Sequence, residues 1–503
     1  MLHEYSLYRI GKGYKMNKIA KLNKNHTYIF SQMCLRGLLT CLLICLMIMG
    51  MSRQTQAASS KNANQSLDSL NYYGSSSFVT DMKKAIKGES LSASGKTYYV
   101  STKGSDKAVG SQAKPFRTIK RAIKALKAGD TLLIRGGTYK ERITVNRSGK
   151  KNQYITIANY PGESVCLSGG NRKASDQRLL KVTGSYLCIR GIKIANLIGK
   201  NAWGVAVMPG ASNIILQNLT IQNIKVSGSE NSANAIAMMG NNSGKAIDDV
   251  LVYHCKISKC KTGRSEAISV SGNATDINVI GNTVTATGNI GICIYGNYGY
   301  CKKKSVDFPR GCLIAKNTVK KCKAGYATAF GIYVDGGQNV TIDSNKVSGC
   351  GGGIEVGAEK RPSSSAYQTK NVKVLNNTLT SNVEAAIAVG GFEKSRGNVD
   401  SVTIKGNTCL QNGLKEENVL LLTKCSNVKV SNNVFNSSKS HGKTSVICSE
   451  MSGAYTKNVT FSNNVYHNGG SANDTSFIWH NKVYWSFKKW KSAMKDSGSV
   501  YKK

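Results

Sequence analysis

A column of asparagines constrains the fold of this chain more than any other feature of the sequence. Nine segments of one pattern align without gaps, from ASNIILQNLTI at 211–221 to KNVTFSNNVY at 457–466. Seven consecutive segments place asparagine at the same position, about 30 residues apart, a spacing typical of solenoid repeats. These residues are Asn282, Asn317, Asn345, Asn377, Asn407, Asn433 and Asn464.

Each repeat contains short strands with alternating aliphatic residues, as in QNVTIDSNKV at 338–347 and GIEV at 353–356. A unit this short cannot bury its own apolar face, but stacked units share a continuous core. Asparagine suits the corner between two strands, because it tolerates left-handed backbone and its amide can bond to the amides on neighbouring coils. The sequence therefore predicts an all-β fold, a right-handed parallel β-helix.

The two ends of such a coil need covers. Residues 116–128 read as a helix with one apolar face, which we expect to cap the start. We expect the coil to span 97–476 and an aromatic segment, 477–503, to cap its end. The residues predicted to fill this C-terminal cap are Trp479, Trp485, Phe487, Trp490 and Met494.

The first 57 residues are predicted to be a signal peptide. Basic residues from Arg9 to Lys24 precede the apolar run at 38–51, and Thr55-Gln56-Ala57 forms a small-x-small cleavage site. The apolar run is shorter than the about 20 residues that a membrane-spanning helix needs. We therefore expect a secreted bacterial protein, in which the Ser-, Asn- and Lys-rich residues 58–96 form a polar linker.

The charge balance predicts an anionic partner. The chain has 69 Lys and Arg against 27 Asp and Glu, a formal net charge of +42. Such an excess attracts polyanions, although it also keeps a secreted protein soluble. The sequence has no zinc finger, RNA-recognition signature or helix-turn-helix pattern. We therefore expect a monomer that binds an acidic polysaccharide or an anionic cell wall, and not nucleic acid.

Three acids are predicted to gather on one face of the coil. Alternation along the second strand of each repeat places one residue per coil in an outward column, with Glu266 and Asp335 close by. The column contains Ala206, Ala237, Ser269, Cys293, Tyr333, Glu355 and Ala388. Oxygen ligands of this kind hold Ca²⁺, so Glu266, Asp335 and Glu355 are candidate calcium ligands. The alternative is that Asp335 and Glu355 are ordinary solvated acids at turns.

Long insertions beside this column are predicted to build a binding face, since loops that lengthen on one side of a solenoid usually do so. We expect Lys360 to act as a base and Arg310 to clamp a substrate carboxylate. The predicted reaction is β-elimination on a uronate polymer, with calcium neutralising the uronate carboxylate. The candidate substrate-binding residues are Tyr295, Tyr333, Arg361 and Arg396.

The segment TYYVSTKGSDKAVGSQAKPFRTIKRAIKALKAGDTLLIRGGTYKERI at 97–143 resembles the start of secreted bacterial β-helix proteins related to family 9 pectate lyases and chondroitinase-B-like lyases. The resemblance runs from Thr97 to Tyr501 and implies the β-helix fold and a polysaccharide lyase activity. The chain departs from both groups at their reactive residues. It has no Asp-Asp-Gly-Phe-Asp-like calcium cluster, and Ser271 stands where chondroitinase-B-like enzymes carry a lysine.

Two other functions fit the same residues. The missing motifs and the excess of lysine favour a non-catalytic, adhesin-like glycan-binding protein. Paired acids about 5–10 Å apart would instead support glycoside hydrolysis, and Asp335 with Glu355 could supply them. Cys322 and Cys350 are expected on adjacent coils, either as stacked thiols or as a disulfide.

Overall fold

In the computed structural model, Asn71–Lys503 forms one compact unit. Of Met1–Leu70, only residues 67, 69 and 70 are described, so the predicted signal peptide lies outside the described residues. No helix in the described part of the chain is long and apolar enough to span a bilayer. The described residues are 67, 69–92, 94–170, 177–228, 230–414, 419–437, 446–449, 453–467, 472–473 and 476–502.

Three sheets of 13 strands each run the length of the coil. Sheet 1 consists of β4 (Ile143–Val145), β7 (Arg178–Val182), β10 (Asn201–Val207), β13 (Ser232–Gly240), β16 (Ile268–Gly272), β19 (Ile292–Tyr295), β22 (Phe330–Asp335), β25 (Gly352–Gly357), β28 (Ile387–Gly390), β31 (Leu420–Leu422), β34 (Ile447–Ser449), β37 (Phe477–Trp479) and β38 (Lys482–Tyr484). Sheet 2 consists of β1 (Thr97–Val100), β2 (Thr131–Ile134), β5 (Ile155–Asn159), β8 (Leu187–Arg190), β11 (Ser212–Gln217), β14 (Asp248–Tyr253), β17 (Thr275–Ile280), β20 (Arg310–Ala315), β23 (Gln338–Asp343), β26 (Thr369–Leu375), β29 (Val399–Lys405), β32 (Cys425–Ser431) and β35 (Thr456–Ser462). Sheet 3 consists of β3 (Gly137–Tyr139), β6 (Val165–Ser168), β9 (Ile192–Gly199), β12 (Thr220–Val226), β15 (Lys256–Ser258), β18 (Thr283–Thr285), β21 (Thr318–Lys320), β24 (Lys346–Ser348), β27 (Thr378–Thr380), β30 (Thr408–Asn412), β33 (Val434–Ser437), β36 (Val465–His467) and β39 (Val500–Tyr501).

Each coil passes through sheet 1, sheet 2 and sheet 3 in turn, and each strand pairs with the equivalent strands of the coils before and after it. The pairing is parallel throughout, except for the terminal hairpin of β37 and β38. Aliphatic residues of matching position stack inside the coil: Ile332 lies on Ile354, and both are fully buried. These observations confirm the predicted all-β parallel β-helix.

The asparagine column forms a buried ladder between sheets 2 and 3. The backbone N–H and Nδ2 of Asn345 both donate to Oδ1 of Asn377, at 2.8 and 2.9 Å. Nδ2 also donates to the carbonyl of Ile314 on the previous coil, at 2.9 Å. The ladder ends where Asn464 N–H donates to Ser499 Oγ at 2.8 Å. The predicted bonding between coils is therefore confirmed.

The left-handed backbone at this corner belongs to a different residue than predicted. None of the seven ladder asparagines has a positive φ, whereas the residue before each corner often does, as in Ser344 (φ 57°) and Asn376 (φ 54°). The preceding residue makes the sharp bend, and the ladder asparagine bonds to the amide on the next coil through its backbone N–H and its side chain. The bend therefore tolerates several residue types, while the ladder requires the amide.

Part of the predicted linker is a helix. Helix α1 (Ser76–Lys87) lies on sheet 2, with Phe78, Met82 and Ala85 buried beneath it. Ser75 caps the helix and donates through Oγ to Asp249 Oδ2 at 2.8 Å. The prediction of a polar linker across 58–96 was wrong here, because the abundant Ser and Lys hid an apolar stripe at helical spacing.

Both ends of the coil are covered. Helix α2 (Ile119–Ala125) buries Ile119 and Ile123 at the start, and it is shorter than the predicted 116–128. Helix α3 (Phe487–Met494) covers the other end, where Trp490 is fully buried and stacks on Phe477 at 4.9 Å between ring centroids. Trp485 was wrongly predicted to fill this cap. It precedes the helix and is 63% exposed.

Candidate functional site

The predicted outward column of sheet 1 is present in the structure. Strand pairing places Ser269 beside Cys293, Cys293 beside Tyr333 and Tyr333 beside Glu355. The column continues to Ala388 on the next coil. Inward neighbours such as Ile354 and Val356 fill the core, so the alternation of the strand directs Glu355 to the outer face.

Four carboxyl groups lie together on this outer face, and we call Glu266, Asp335, Glu355 and Glu359 the carboxyl cluster. Asp335 ends β22 and Glu355 lies within β25. Glu266 belongs to the loop that enters sheet 1, whereas Glu359 belongs to the loop that leaves it. Two of the carboxyl groups therefore reach the face from its opposite edges.

Hydrogen bonds through two tyrosines link three of the four carboxyl groups. The hydroxyl of Tyr298 lies 2.5 Å from Asp335 Oδ2 and 3.3 Å from Glu359 Oε2. The hydroxyl of Tyr333 lies 3.3 Å from Glu359 Oε1 and also bonds to Glu355. The backbone N–H of Glu359 donates to Asp335 Oδ1 at 2.8 Å. The network therefore runs from Asp335 to Glu355 through Glu359.

Burial and mutual repulsion raise the pKa values of the cluster. Burial first, and the Glu359 carboxylate second, raise the pKa of Asp335 to about 7. Burial, with Glu359 and Asp335 next, raises the pKa of Glu355 well above its ordinary value. Asp335 is 2% and Glu355 5% exposed, so the view of these two as solvated acids at turns was wrong. At neutral pH the cluster therefore holds protons as well as charge.

Glu266 has a hydrogen-bond network of its own. Its Oε2 accepts hydrogen bonds from Ser269 Oγ at 2.6 Å and from Ser265 Oγ at 3.1 Å. Asn234 Nδ2 donates to the Glu266 carbonyl at 2.8 Å and holds the segment in place. Burial raises the pKa of Glu266, and the Glu359 carboxylate adds to the effect. A half-buried carboxyl group with a raised pKa can deliver a proton to a ligand on this face.

Cys293 lies at the centre of the cluster. Burial raises the pKa of its thiol well above the ordinary value, and the charges of Glu266, Asp335, Glu359 and Glu355 raise it further. A thiol in such surroundings stays protonated and is a poor nucleophile. Cys293 is therefore not a candidate nucleophile on this face.

Aromatic side chains and a lysine form a wall beside the carboxyl groups. Tyr298 meets Tyr295 edge to face at 5.6 Å between centroids, and Tyr300 lies 6.0 Å from Tyr295. Lys360 Nζ lies 5.2 Å from the centroid of the Tyr298 ring. The predicted residues Tyr295, Tyr333 and Lys360 are therefore in the site, and flat aromatic faces of this kind can contact sugar rings.

The three predicted arginines lie elsewhere or at the margin. Arg310 begins β20 in sheet 2, where its guanidinium donates to Asn273 Oδ1 at 2.8 Å and to the Phe308 carbonyl at 3.1 Å. Arg396 donates to the Glu359 carbonyl at 3.3 Å and pairs with Glu393 at 3.3 Å. Arg361 is exposed. Burial lowers the pKa of Lys424, and the charge of Arg361 lowers it further. The hydrogen bonds of Arg310 point away from the carboxyl cluster.

The predicted calcium ligands do not form a compact ligand set. Calcium takes six to eight oxygens at about 2.3–2.6 Å, so ligand oxygens must lie close together. Within the described ranges, one group of acids has ligand oxygens within 4.8 Å of one another, and it is Asp248, Asp249 and Asp276. In that group, Asp249 is engaged by Ser75 at the start of α1. By themselves, Glu266, Asp335 and Glu355 therefore do not form a calcium site.

Sequence reasoning missed two residues of the site, Tyr298 and Glu359. Both belong to long insertions, NYGYCKKKSVDFPRG and GAEKRPSSSAYQTK, that the sequence marks as beside the outward column. The repeat register assigns positions within strands only, so it gives no position to a loop residue. A signal was available in their types, because a tyrosine lies near the start of the first insertion and an acid near the start of the second.

Comparison with known proteins relates the chain to other β-helix proteins. Residues 98–249 match the family model of the Pel9A-like, right-handed β-helix region, and residues 310–483 match that of the right-handed β-helix region. The chain is 38% identical over 73 residues to pectate lyase PEL9 of Emericella nidulans, which covers 14% of this chain and 18% of that protein.

Two solved structures are similar to this chain at low sequence identity. A GH136 lacto-N-biosidase from Eubacterium ramulus has a TM-score of 0.47 at 15% identity, covering 84% of this chain and 70% of that one. Pectate lyase Pel9A has a TM-score of 0.37 at 16% identity, covering 76% of this chain and 83% of that one.

One relative matches nearly the whole molecule. The uncharacterized protein YwoF of Bacillus subtilis (strain 168) is 32% identical over 443 residues, which covers 84% of this chain and 90% of that protein. The chain therefore belongs to the family of right-handed parallel β-helix proteins that includes Bacillus subtilis YwoF.

Proposed function

We propose that the chain is a carbohydrate-active enzyme that hydrolyses glycosidic bonds in an acidic polysaccharide. The observation that carries this proposal is the placement of Glu266 and Glu359, which are half-buried and reach the outer face of sheet 1 from opposite edges. Glycoside hydrolysis uses two carboxyl groups that flank the scissile bond, one protonated and one ionised.

The environments of the two carboxyl groups suit different roles. Glu266, whose pKa is raised by burial, is the proposed acid that protonates the glycosidic oxygen. Glu359 is the proposed base that removes a proton from the attacking water. Asp335 and Glu355 lie behind Glu359 on the tyrosine network, and they position its carboxylate through Tyr298 and Tyr333.

A second function, β-elimination, is favoured by Lys360. Its ammonium group lies beside Tyr298 and lowers the pKa of Asp335, opposing the dominant effects of burial and Glu359. In this reaction a lysine that has lost its proton would remove the hydrogen next to a uronate carboxyl group, and the bond to the leaving sugar would break. The name of the partial relative, pectate lyase PEL9, supports the same reaction class. The predicted role of calcium, which is to neutralise the uronate carboxylate, is part of this second proposal.

One incubation separates these reactions. The purified chain is mixed with pectate, alginate or glycosaminoglycans, with Ca²⁺ or with EDTA, and both reducing ends and unsaturated-uronate absorbance are measured. New reducing ends without absorbance indicate hydrolysis, and both signals together indicate elimination. Loss of activity in EDTA would support calcium. Salt-sensitive retention on the polymer, with neither signal on any of them, would contradict both enzymatic proposals and favour the glycan-binding alternative.

Substitution of the two carboxyl groups tests their roles. Because an acid–base residue contributes roughly 10²–10⁴-fold to the rate, we expect Glu266→Gln and Glu359→Gln each to lower kcat by at least about 100-fold. Glu89→Gln, an exposed acid that follows α1 on sheet 2, is the control and should retain activity. Wild-type rates in either cluster variant, measured on correctly folded protein, would rule out the assignment.

A further inference from the structure

A second charged region lies at the N-terminal end of the coil, in a cavity of about 730 Å³ between α2 and β4. Two acids contribute to the lining, and both are engaged by the start of α2. Asp106 Oδ1 accepts from the N–H of Thr118 at 2.8 Å, and Glu141 Oε1 accepts from the N–H of Ile119 at 2.9 Å. Five cationic side chains line the same cavity, namely Lys120, Arg121, Lys124, Lys140 and Arg142.

The five cations of this basic cavity outnumber the two acids that line it, so the cavity keeps an excess of positive charge. None of its five cations forms an ion pair with a described carboxylate. Arg142 is the clearest case, because its Nε and Nη2 atoms are shielded from solvent and have no hydrogen-bond partner. Buried donors without partners are costly, and a guanidinium with free donors matches a carboxylate or sulfate group.

The basic cavity opens onto the face that carries the carboxyl cluster. Thr144, which lines the cavity, pairs with Lys181 on the next coil, and the column continues through Ala206, Ala237 and Ser269 to Cys293. Five strand spacings of about 4.8 Å separate Thr144 from Cys293, a distance of about 24 Å. Between the two regions, Lys181 is the half-buried member of this column, whereas Ala206, Ala237 and Ser269 are buried.

We propose that the basic cavity anchors an acidic group of a polysaccharide chain that lies along the outer face of sheet 1 and reaches the carboxyl cluster. This inference rests on the proposed function and specifies its substrate as an anionic polymer long enough to span both regions. The acidic group is a carboxylate or a sulfate, since either accepts charge-assisted hydrogen bonds from the lysines and arginines that line the cavity. The wall tyrosines and the cationic anchor then contact different sugars of one chain.

Equilibrium binding tests the anchor without any need for turnover. Binding is measured on the full chain carrying Glu359→Gln, with polygalacturonate as the uronate probe and heparin as the sulfated probe. Adding Lys120→Ala with Lys124→Ala, or Arg142→Gln, should weaken binding of the long polymer about tenfold, the effect of losing one charge-assisted contact. An oligosaccharide too short to span about 24 Å should lack the affinity advantage of the long polymer on the parent chain, because it cannot contact both regions at once. The probe that loses affinity identifies the acidic group.

The control removes the same charge from another sheet. Lys373 and Lys429 are exposed on β26 and β32 of sheet 2, and their double alanine variant should bind the polymer as before. Equal losses of affinity in the Lys120/Lys124 and Lys373/Lys429 variants would show that only the overall charge matters, and would overturn the proposal. Tighter binding of duplex DNA than of either glycan at the same salt concentration would overturn it as well. Polymer binding that needs the cavity, without any cleavage, would contradict the proposed function and support the anchor.

Discussion

At the scale of single residues, the carboxyl cluster combines burial with repulsion between like charges. Asp335 accepts hydrogen bonds from Tyr298 and from the backbone of Glu359, and both favour its ionised form. Burial and the Glu359 charge outweigh them, and the pKa of Asp335 rises to about 7. A group with this pKa changes its charge near neutral pH, so the cluster responds to pH in the range where most enzymes work.

The raised pKa of Asp335 predicts how stability depends on pH. A carboxyl group whose pKa is higher in the folded than in the unfolded chain holds its proton more tightly when folded, so stability falls as pH rises between the two pKa values. We expect the unfolding temperature to drop between about pH 4 and pH 7, and Asp335→Asn to reduce the drop. Thermal unfolding followed by circular dichroism measures it. A variant that follows the wild-type pH profile would contradict the raised pKa.

At the scale of elements, the corner between sheets 2 and 3 depends on a buried amide in each coil. Asn433 donates to Asn464 Oδ1 through both its backbone N–H and Nδ2, at 3.0 Å, and its own Oδ1 accepts from Asn407. Its side chain is fully buried. Removing the amide therefore leaves donors on the neighbouring coil without partners.

The ladder predicts a contrast between two asparagines three residues apart. Asn433→Ala should lower the free energy of unfolding by about 1–3 kcal/mol, the cost of leaving a buried hydrogen-bonding group without a partner. Asn436→Ala, on the half-exposed face of β33, should change it by less than about 0.5 kcal/mol. Denaturant unfolding of the two variants gives the comparison. Similar losses at both positions would show that the ladder amides contribute no specific stabilisation.

The same contrast explains what the sequence could predict. Asn345 and Glu355 occupy fixed positions in a repeat, so their columns follow from the register alone, and pairing of Tyr333 with Glu355 confirms it. Tyr298, Glu359 and helix α1 lie outside the repeat. Their positions depend on contacts such as Tyr298 with Asp335 and Ser75 with Asp249, which join segments far apart in sequence. Arg310, in contrast, begins β20 of sheet 2, so the repeat register itself places it on a different sheet from Glu355.

At the scale of the whole molecule, the two caps complete the core. Trp490 is fully buried and contacts Phe461 and Phe477, which belong to the last coils of sheets 2 and 1. Without this cover, the terminal aromatic residues would face water. The edge strands at the same end would also be open to pairing with other chains.

Replacing the buried tryptophan should destabilise the C-terminal end. We expect Trp490→Ala to cost about 3–5 kcal/mol, as for other large-to-small changes in a core, and to promote aggregation on heating. Trp485→Ala is the matched control, because Trp485 is 63% exposed. Thermal unfolding with light scattering measures both effects. Equal behaviour of the two variants would mean that α3 is not needed to close the coil.

The stacking of coils that share one strand pattern also has an evolutionary consequence. Because each strand of sheet 1 pairs only with its neighbours, a coil could be gained or lost between β10 and β16 without rebuilding either end. Every such event would change the gap between Thr144 and Cys293 by one strand spacing, about 4.8 Å. The number of coils between the basic cavity and the carboxyl cluster would therefore set the length of polymer that reaches both. Relatives with more coils between these regions would need a longer polymer, and relatives with fewer coils a shorter one.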